Sequence, residues 1–205
     1  NKPFISHTIN FIKKTKIFNQ IIVSTDSKKI ADISIQEGAE VPFLRSKKLS
    51  NDTCTTHEVI VDVIKKMNFN KNANIFCVYP TAIFLLKKDF INSLKILNKK
   101  NKNFIFCATR CSSNLQRSFI VNKNFEINKI MNKKIINKNS QDLLNLYEDV
   151  GYFYLAKSYV WLKNNSPITN KSSIIEIPKI RSVDINTYDD LKLAKILYKN
   201  KLNEK

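Results

Sequence analysis

Residues 20–45 read QIIVSTDSKKIADISIQEGAEVPFLR and contain three segments of different pattern. The opening apolar run, residues 20–24, predicts a buried strand, which stops at Asp26. Apolar residues then recur at helical spacing over residues 27–38, and the glycine that closes this range is typical of a helix end. A second short apolar run, VPFL, ends at Arg45. This order predicts a strand, a helix and an extended segment, with an aspartate and an arginine at the two strand ends.

The same alternation continues along the first half of the chain. Apolar residues at helical spacing occupy residues 4–12 and 60–67, and short apolar runs at 74–80 and 103–109 are typical of strands. Strands that alternate with helices favour a doubly wound, mostly parallel α/β sheet with helices on both faces. Because no Gly/Ser-rich or Pro-rich linker divides the sequence, residues 1–205 are expected to form a single domain.

The second half of the chain changes character. Residues 117–136 have the pattern of an antiparallel ribbon with an NKN turn, and they lie in an irregular insert of about residues 110–150. The run GYFYLA that follows predicts a strand. A further strand is expected to end near Asp184, followed by a helix with Thr187 as its N-cap and Asp190 as its capping-box partner.

Composition excludes several classes of protein. The formal net charge is +18, which raises the possibility of a nucleic-acid binder, but most of the charge is lysine scattered among asparagines rather than interleaved with aromatic residues. A solvated lysine surface is therefore the better interpretation. The four cysteines lack zinc-like spacing and are interpreted as small apolar fillers. No apolar run approaches a membrane span, so we expect no membrane partner and a cytoplasmic location.

Polar side chains are expected at the carboxyl ends of several predicted strands, where sheets of this class bind their ligands. The segments that would meet there contain Asp26, Arg45, Tyr79 with Thr81, and Asp184. Together they offer carboxylates for a divalent cation, a cation for phosphate or a base, and hydroxyl groups. Each residue also has an ordinary structural interpretation. Asp26 could simply cap a helix, Arg45 could be a surface cation, and the threonines before residue 58 could be turn and cap residues.

Several longer motifs carry a resemblance to a known family. They are VSTDSKKIADISIQEGAEVPFLR followed by SKKLSND, VYPTAIF, QRSF, SQDLLNLYEDVGYFYLA and SVDINTYDDLKLAKILY, and together they span nearly the whole chain. In this order they resemble the nonulosonic-acid cytidylyltransferases. The similarity is greatest to the CMP-pseudaminic acid synthetase branch and more distant to the CMP-sialic acid synthetases.

The resemblance implies a reaction and a set of residues for it. CTP and a nine-carbon acidic keto-sugar would give a CMP-sugar and pyrophosphate, with Mg²⁺ as the cofactor. The resemblance also implies a homodimer built on the insert, whereas the expectation of no nucleic-acid partner comes from the scattered lysines. The residues that match the family's positions fall into three groups: Arg45, Thr55, Thr56 and Asp26 for the nucleotide; Tyr79, Thr81, Gln141, Asp149 and Tyr152 for the sugar; Asp184, also catalytic, and Asn186 for the metal.

Two departures from the family pattern affect this expectation. Relatives open with a strand and a loop of roughly G-G-S-K-R-I-P-x-K-N that cradles the triphosphate, whereas NKPFISHTI matches the helix after that loop. The metal pair, an aspartate pair in the family, is Asp184 and Asn186 here, so one carboxylate is an amide. We therefore expect residues 1–205 on their own to transfer cytidylyl groups poorly. A non-catalytic relative, and an enzyme for sialic or legionaminic acid, remain open as alternatives.

Overall fold

A computed structural model describes residues 2–100, 102–111, 116–163 and 166–203. These described residues form six α-helices and six strands. The helices are α1 Phe4–Thr15, α2 Lys28–Gln36, α3 Thr56–Met67, α4 Lys87–Lys100, α5 Ser158–Lys163 and α6 Tyr188–Asn203. The strands are β1 Asn74–Val78, β2 Phe104–Arg110, β3 Phe119–Val121, β4 Ile127–Ile130, β5 Tyr147–Lys157 and β6 Ser172–Glu176.

Four of these strands form the central sheet, in the order β1–β5–β2–β6. The β2 and β6 strands pair in parallel, whereas β5 pairs antiparallel with both β1 and β2. It follows that β1, β2 and β6 share one direction and β5 runs against them. The predicted α/β class is confirmed, but the sheet is mixed because its longest strand is the one that is reversed.

Side chains that alternate along the strands separate the two faces of the sheet. Ile105 and Leu155 pack in a core with Ile12 of α1, Phe90 of α4 and Ala194 of α6, among others. The other face belongs to a second, smaller core, whose buried members are Ile64, Cys77, Phe104, Ala156, Val160 and Trp161. Since neighbouring residues of a strand point to opposite faces, this division places helices on both sides of the sheet, as the doubly wound prediction required.

Two predicted strands are wrong. Residues 20–24 make only an isolated parallel bridge, between Ile22 and Glu40, because no other part of the described chain continues that ladder. The segment before Asp184 contains the 3₁₀ turn Lys179–Arg181 and then irregular backbone. Pro178 precedes this turn and has no N–H to donate to a ladder, so the sheet ends at β6.

Local signals at the helix ends are confirmed. Thr187 and Asp190 form the predicted capping box at the start of α6, since each side chain bonds the other residue's backbone N–H, at 3.2 and 2.8 Å. Gly38 follows the cap of α2 with φ +89°, the left-handed conformation expected there. The insert forms the predicted two-stranded ribbon, β3 paired antiparallel with β4. Within the described residues, no helix combines the length and hydropathy of a membrane span.

Helices α1 and α2 are joined by a polar cluster around Glu37. Its carboxylate accepts hydrogen bonds from Lys2 at 2.9 Å and from Asn10 at 2.5 Å, and these bonds lower its pKa to about 2. Lys13 donates to the Glu37 carbonyl at 2.7 Å, which also closes the C-terminal end of α2. The cluster therefore depends on the charged form of Glu37.

We expect Glu37→Gln to lower the melting temperature at pH 7. A folded-state pKa of about 2, against 4.5 for the free side chain, means that the stabilisation is complete above pH 4.5 and is lost as the pH falls toward 2. Thermal unfolding measured from pH 7 to 2 should show the two proteins converging over that window. The control is Asp189→Asn, which removes a carboxylate from an exposed pair with Lys192. If the melting temperatures of Glu37→Gln and the parent protein differ as much at pH 2 as at pH 7, the prediction is contradicted.

Candidate active site

A cleft of about 380 Å³ opens where three segments of the chain meet. One segment follows the carboxyl end of β1, the second is part of β5, and the third lies between β6 and α6. The cleft is lined by Tyr79, Thr81, Asp149, Gly151, Tyr154, Asp184, Ile185 and Asn186. Five residues singled out in the sequence, Tyr79, Thr81, Asp149, Asp184 and Asn186, are thus brought together.

A bulge in β5 places Asp149 in this cleft. On β2, Phe106 and Ala108 are two residues apart, but their partners Tyr154 and Asp149 are five apart, so β5 carries extra residues here. Gly151 lies within the bulge at φ +65°, a left-handed conformation that a side chain would disfavour. Its N–H donates to the Asp149 carboxylate at 2.9 Å. The bulge thus turns a strand residue toward the ligand side of the sheet.

Tyr154, which is not among the site residues predicted from the sequence, holds the same carboxylate. Its hydroxyl donates to the second oxygen of Asp149. Burial raises the pKa of Tyr154, and the neighbouring Asp149 raises it further. The phenol therefore stays protonated and remains a donor at neutral pH. With both oxygens oriented, Asp149 is a fixed acceptor for hydroxyl or amide groups of a ligand.

Tyr79 connects this cleft to its surroundings. Its backbone N–H donates to the Tyr152 carbonyl at 3.0 Å, and its hydroxyl lies 2.7 Å from that of Thr56. Burial raises the pKa of Tyr79, while the hydrogen bond with Thr56 partly offsets this effect. Thr8 of α1 donates to the Pro80 carbonyl at 2.7 Å and so fixes the turn that presents Thr81.

A second cleft of about 230 Å³ adjoins the first. Its lining residues are Thr55, Thr56, His57, Tyr79, Tyr154, Trp161 and Pro167. Two of them, Tyr79 and Tyr154, also line the first cleft, so the two spaces share a wall of phenol rings. Thr55 is the N-cap of α3, in a capping box with Glu58, so its hydroxyl has a structural role as well. The His57 Nε2 atom lies 2.8 Å from the Trp161 carbonyl, to which it donates.

The proposed metal residues lie side by side. Asn186 donates through Nδ2 to the Asp184 carboxylate at 2.8 Å, and both side chains are exposed to the cleft. The backbone N–H groups of Asn186 and Thr187 donate to the Asp190 carboxylate at 3.2 and 2.8 Å. The hydrogen bond from the Thr187 hydroxyl, together with these two backbone bonds, lowers the pKa of Asp190.

Arg45 and Asp26 line neither cleft. Instead they approach each other, with 3.5 Å between a guanidinium nitrogen and a carboxylate oxygen, and Arg45 also donates to Ser50 at 3.1 Å. Asp26 is not the cap of α2 either: Ser27 is, since its hydroxyl accepts from the Ile30 N–H at 3.4 Å. The sequence predicted Asp26 and Arg45 at the ends of two extended segments. The strand predicted before Asp26 does not form, because residues 20–24 make only an isolated bridge.

Tyr152 and Gln141 also lie outside the clefts. Tyr152 is 1 % exposed, and its hydroxyl donates to the carbonyls of Arg181 and Val183, so contact with a sugar is not possible in this arrangement. It packs inward, in the same core as its neighbour Phe153, because the bulge at Gly151 interrupts the alternation of side chains along β5. Gln141 is exposed on the 3₁₀ turn Ser140–Asp142 of the insert.

A family model described as "Cytidylyltransferase" matches residues 1–202. The chain belongs to the cytidylyltransferase family. A pseudaminic acid cytidylyltransferase from Campylobacter jejuni is 33% identical over 202 residues, which cover 97% of this chain and 86% of that protein. A Helicobacter pylori protein that joins a pseudaminic acid cytidylyltransferase to a hydrolase is 28% identical over 90% of this chain and 35% of its own length. The resemblance inferred from the sequence motifs is thereby confirmed.

Solved structures support the same architecture for this cytidylyltransferase. The CMP:2-keto-3-deoxy-manno-octonic acid synthetase complexed with CTP superposes with a TM-score of 0.68 and covers 98% of this chain and 89% of that one. Its sequence identity is 13%, so the match concerns the fold. The α/β fold with its mixed central sheet is thus shared with that synthetase.

Proposed function

We propose that this cytidylyltransferase transfers a cytidylyl group from CTP to pseudaminic acid and gives the CMP-sugar and pyrophosphate for cell-surface glycan biosynthesis. The observation that carries the proposal is the cleft of Tyr79, Thr81, Asp149 and Asp184 in a chain related over 97% of its length to a pseudaminic acid cytidylyltransferase. Hydroxyl and carboxylate groups suit a polyhydroxylated sugar, and the adjoining cleft at Thr56 offers room beside it for the nucleotide.

The reaction is a displacement at the α-phosphorus of CTP. The anomeric hydroxyl of the sugar attacks and loses its proton, a new oxygen–phosphorus bond forms, and the bond to the β-phosphate breaks to release pyrophosphate. Asp149, whose two oxygens are held by Gly151 and Tyr154, would accept hydrogen bonds from the sugar and fix its orientation. Tyr79 and Thr81 would contribute hydroxyl groups to the same surface.

The donor set of the cleft fits Mg²⁺. Asp184 supplies a carboxylate, Asn186 an amide oxygen once its side chain is reoriented, and Asp149 lies in the same cleft. Among the residues that the structure describes, no group of three His, Cys, Asp or Glu side chains forms a complete site. This suits an ion that commonly takes one or two protein carboxylates and completes its shell with phosphate oxygens and water. When bound, the ion offsets charge on the phosphate oxygens.

Arg45 would join the nucleotide site only after leaving Asp26. Their pair, at 3.5 Å, is long, and the Asp26 side chain is half-exposed, so the interaction is weak and the guanidinium is available to an anion. Thr55 and Thr56 line the second cleft, and their hydroxyls would lie near the cytidine. A cytoplasmic location remains part of the proposal, which the use of CTP favours.

Pyrophosphate release from CTP with pseudaminic, sialic and legionaminic acids tests the function. We expect turnover with pseudaminic acid to exceed that with the other two acids, and Asp184→Asn to reduce it roughly a hundredfold or more, because a carboxylate that faces the phosphates is lost. Asp189→Asn is the matched control, a nearby exposed aspartate outside the cleft.

The assay should use residues 1–205 and also any longer form of the chain that its coding sequence supplies. Failure of both forms with every sugar, while calorimetry still detects CTP, would favour the non-catalytic relative. Binding to nucleic acid that does not depend on CTP and weakens steeply as the salt concentration rises would favour the nucleic-acid alternative.

Asn186→Asp is expected to lower the Mg²⁺ concentration needed for half-maximal activity. The change adds a negative charge beside Asp184 and replaces an amide oxygen by a carboxylate, which attracts the ion more strongly. The matched control is Asn124→Asp, which makes the same charge change in the exposed turn between β3 and β4. An Mg²⁺ titration that gives the same midpoint for Asn186→Asp and the parent chain would mean that residue 186 is not a ligand.

A homodimer is also proposed, on the ribbon of β3 and β4. Its strands expose large apolar side chains to solvent, among them Phe119 (52%), Ile120 (47%) and Ile127 (59%). A two-stranded ribbon that is apolar and exposed is not stable by itself and is usually covered by a partner. A second copy of the same ribbon would cover it by symmetry.

Sedimentation velocity tests the dimer with one variant and its control. Ile127→Lys on the ribbon should give a monomer, since a charge would be buried at the contact. Ile196→Lys on α6 changes a residue of the same 59% exposure and should leave the dimer intact. A dimer that survives Ile127→Lys, or a monomeric parent chain, would argue against this interface.

A further inference from the structure

The segment that carries Asp184 is irregular, yet its backbone is fixed from both ends. On the carboxyl side, Asp190 binds the backbone N–H groups of Asn186 and Thr187. On the amino side, Val183 is 8 % exposed and packs in the larger core. We propose that Tyr152, Arg181 and Asp89 act as a positioning triad that sets the orientation of Asp184 toward the phosphates. The inference rests on the proposed function, because it assigns a role to Asp184 in that reaction.

Tyr152 binds the backbone on both sides of residue 182. Its hydroxyl donates to the Arg181 carbonyl and lies 3.4 Å from the Val183 carbonyl. These carbonyls belong to the third and first residues before Asp184. Since the ring is 1 % exposed in the core, it offers the loop a point of attachment that hardly moves. A shift of the loop along β5 would break both contacts.

Arg181 binds the same loop to the start of α4. Its guanidinium donates to both oxygens of Asp89, at 2.9 and 3.3 Å, and to the Phe84 carbonyl at 3.0 Å. Asp89 is itself fixed, because its carboxylate accepts from the Leu86 N–H at 2.8 Å in the first turn of the helix. The fork geometry of arginine with a carboxylate specifies direction as well as distance.

The burial of this ion pair argues for a positioning role rather than for stability alone. The Asp89 side chain is 4% exposed and that of Arg181 17%. Buried ion pairs seldom stabilise a fold more than apolar side chains of the same volume would, and in several proteins they instead specify one arrangement among several. Here the arrangement specified is that of the three residues before Asp184. None of the triad lines a cleft, so its effect reaches the substrate only through the loop.

Tyr152→Phe tests the triad, because it removes one oxygen and keeps the ring. The matched control is Tyr198→Phe, which keeps the ring that packs against Phe84 and removes a half-buried hydroxyl that lies 3.3 Å from His7. Arg181→Lys is the second variant; it keeps the charge and loses the fork. Three quantities are measured: hydrogen exchange of residues 184–187 in the metal-free protein, the affinity for Mn²⁺ with CTP by electron paramagnetic resonance, and kcat and KM for CTP.

We expect Tyr152→Phe and Arg181→Lys to speed exchange over residues 184–187 several-fold, to weaken Mn²⁺ binding roughly tenfold, and to lower kcat with little change in KM for CTP. Tyr198→Phe should lower the melting temperature and leave all three quantities unchanged. If both variants lose thermal stability but match Tyr198→Phe in exchange and Mn²⁺ affinity, the triad is merely structural and the inference is overturned.

The same data separate this inference from the proposed function. If neither residues 1–205 nor a longer form of the chain turns over CTP, yet exchange and Mn²⁺ affinity still respond to Tyr152→Phe, the proposed reaction is refuted and the triad is supported. A parent chain with turnover in which neither variant alters exchange or Mn²⁺ binding would support the reaction and refute the triad.

Discussion

The reversed strand β5 is the constraint on which the rest of the structure depends. It pairs with β1 on one side and with β2 on the other, so it occupies the interior of the sheet and both of its ladders are satisfied. Its bulge can sit in the middle of the sheet only because Gly151 adopts φ +65° there. The same short stretch turns Asp149 and Tyr154 toward one cleft and Tyr152 toward the core. One irregularity thus directs some side chains of a single strand to the candidate site and others to the core.

Aromatic packing makes this arrangement rigid. Phe76 of β1, Phe90 of α4 and Phe153 of β5 contact one another with ring centroids 5.3 Å apart in each pair. Burial of a phenylalanine contributes about 2–3 kcal/mol, and each favourable ring pair adds about 1 kcal/mol, so the start of α4 is held firmly on the sheet. Asp89 precedes Phe90 in α4, so the same packing fixes its position. Packing in the core and orientation at the loop before Asp184 are consequently coupled through one helix turn.

The sequence predicted local features well and long-range ones less well. The capping box of Thr187 and Asp190 depends on residues three positions apart, and it forms as expected. The strand predicted at residues 20–24 does not form, because an apolar run indicates burial but does not specify which strand would pair with it. β6 was not recognised, although its paired isoleucines before Pro178 are a strand signal. The position of β6 beside β2 depends on the pairing of these strands, which the periodicity of apolar residues does not predict.

For the candidate site, too, some residues could be predicted from local sequence and others depend on long-range structure. Tyr79, Thr81, Asp184 and Asn186 were predictable as neighbours because they follow elements of one sheet, and ligands bind at such ends. Tyr152 was placed among the sugar contacts with its motif, and regular alternation along a strand would put it on the same side as Tyr154. Tyr154, two residues on, lines the cleft, because the bulge lies between the two positions. That shift depends on backbone geometry, which the spacing of residues in the motif does not encode.

Compared with a carboxylate at the same position, the amide of Asn186 has one advantage and one disadvantage. Asp149 and Asp184 face one cleft, and in the described part of the chain neither forms an ion pair. A third carboxylate would add repulsion whenever no cation is present, and two carboxylates cannot donate to each other. Asn186 instead donates to Asp184 at 2.8 Å and orients it before any ligand arrives. The loss is one negative charge for the attraction of the proposed Mg²⁺, which the substrate triphosphate, itself a multiply charged ligand of the ion, can supply.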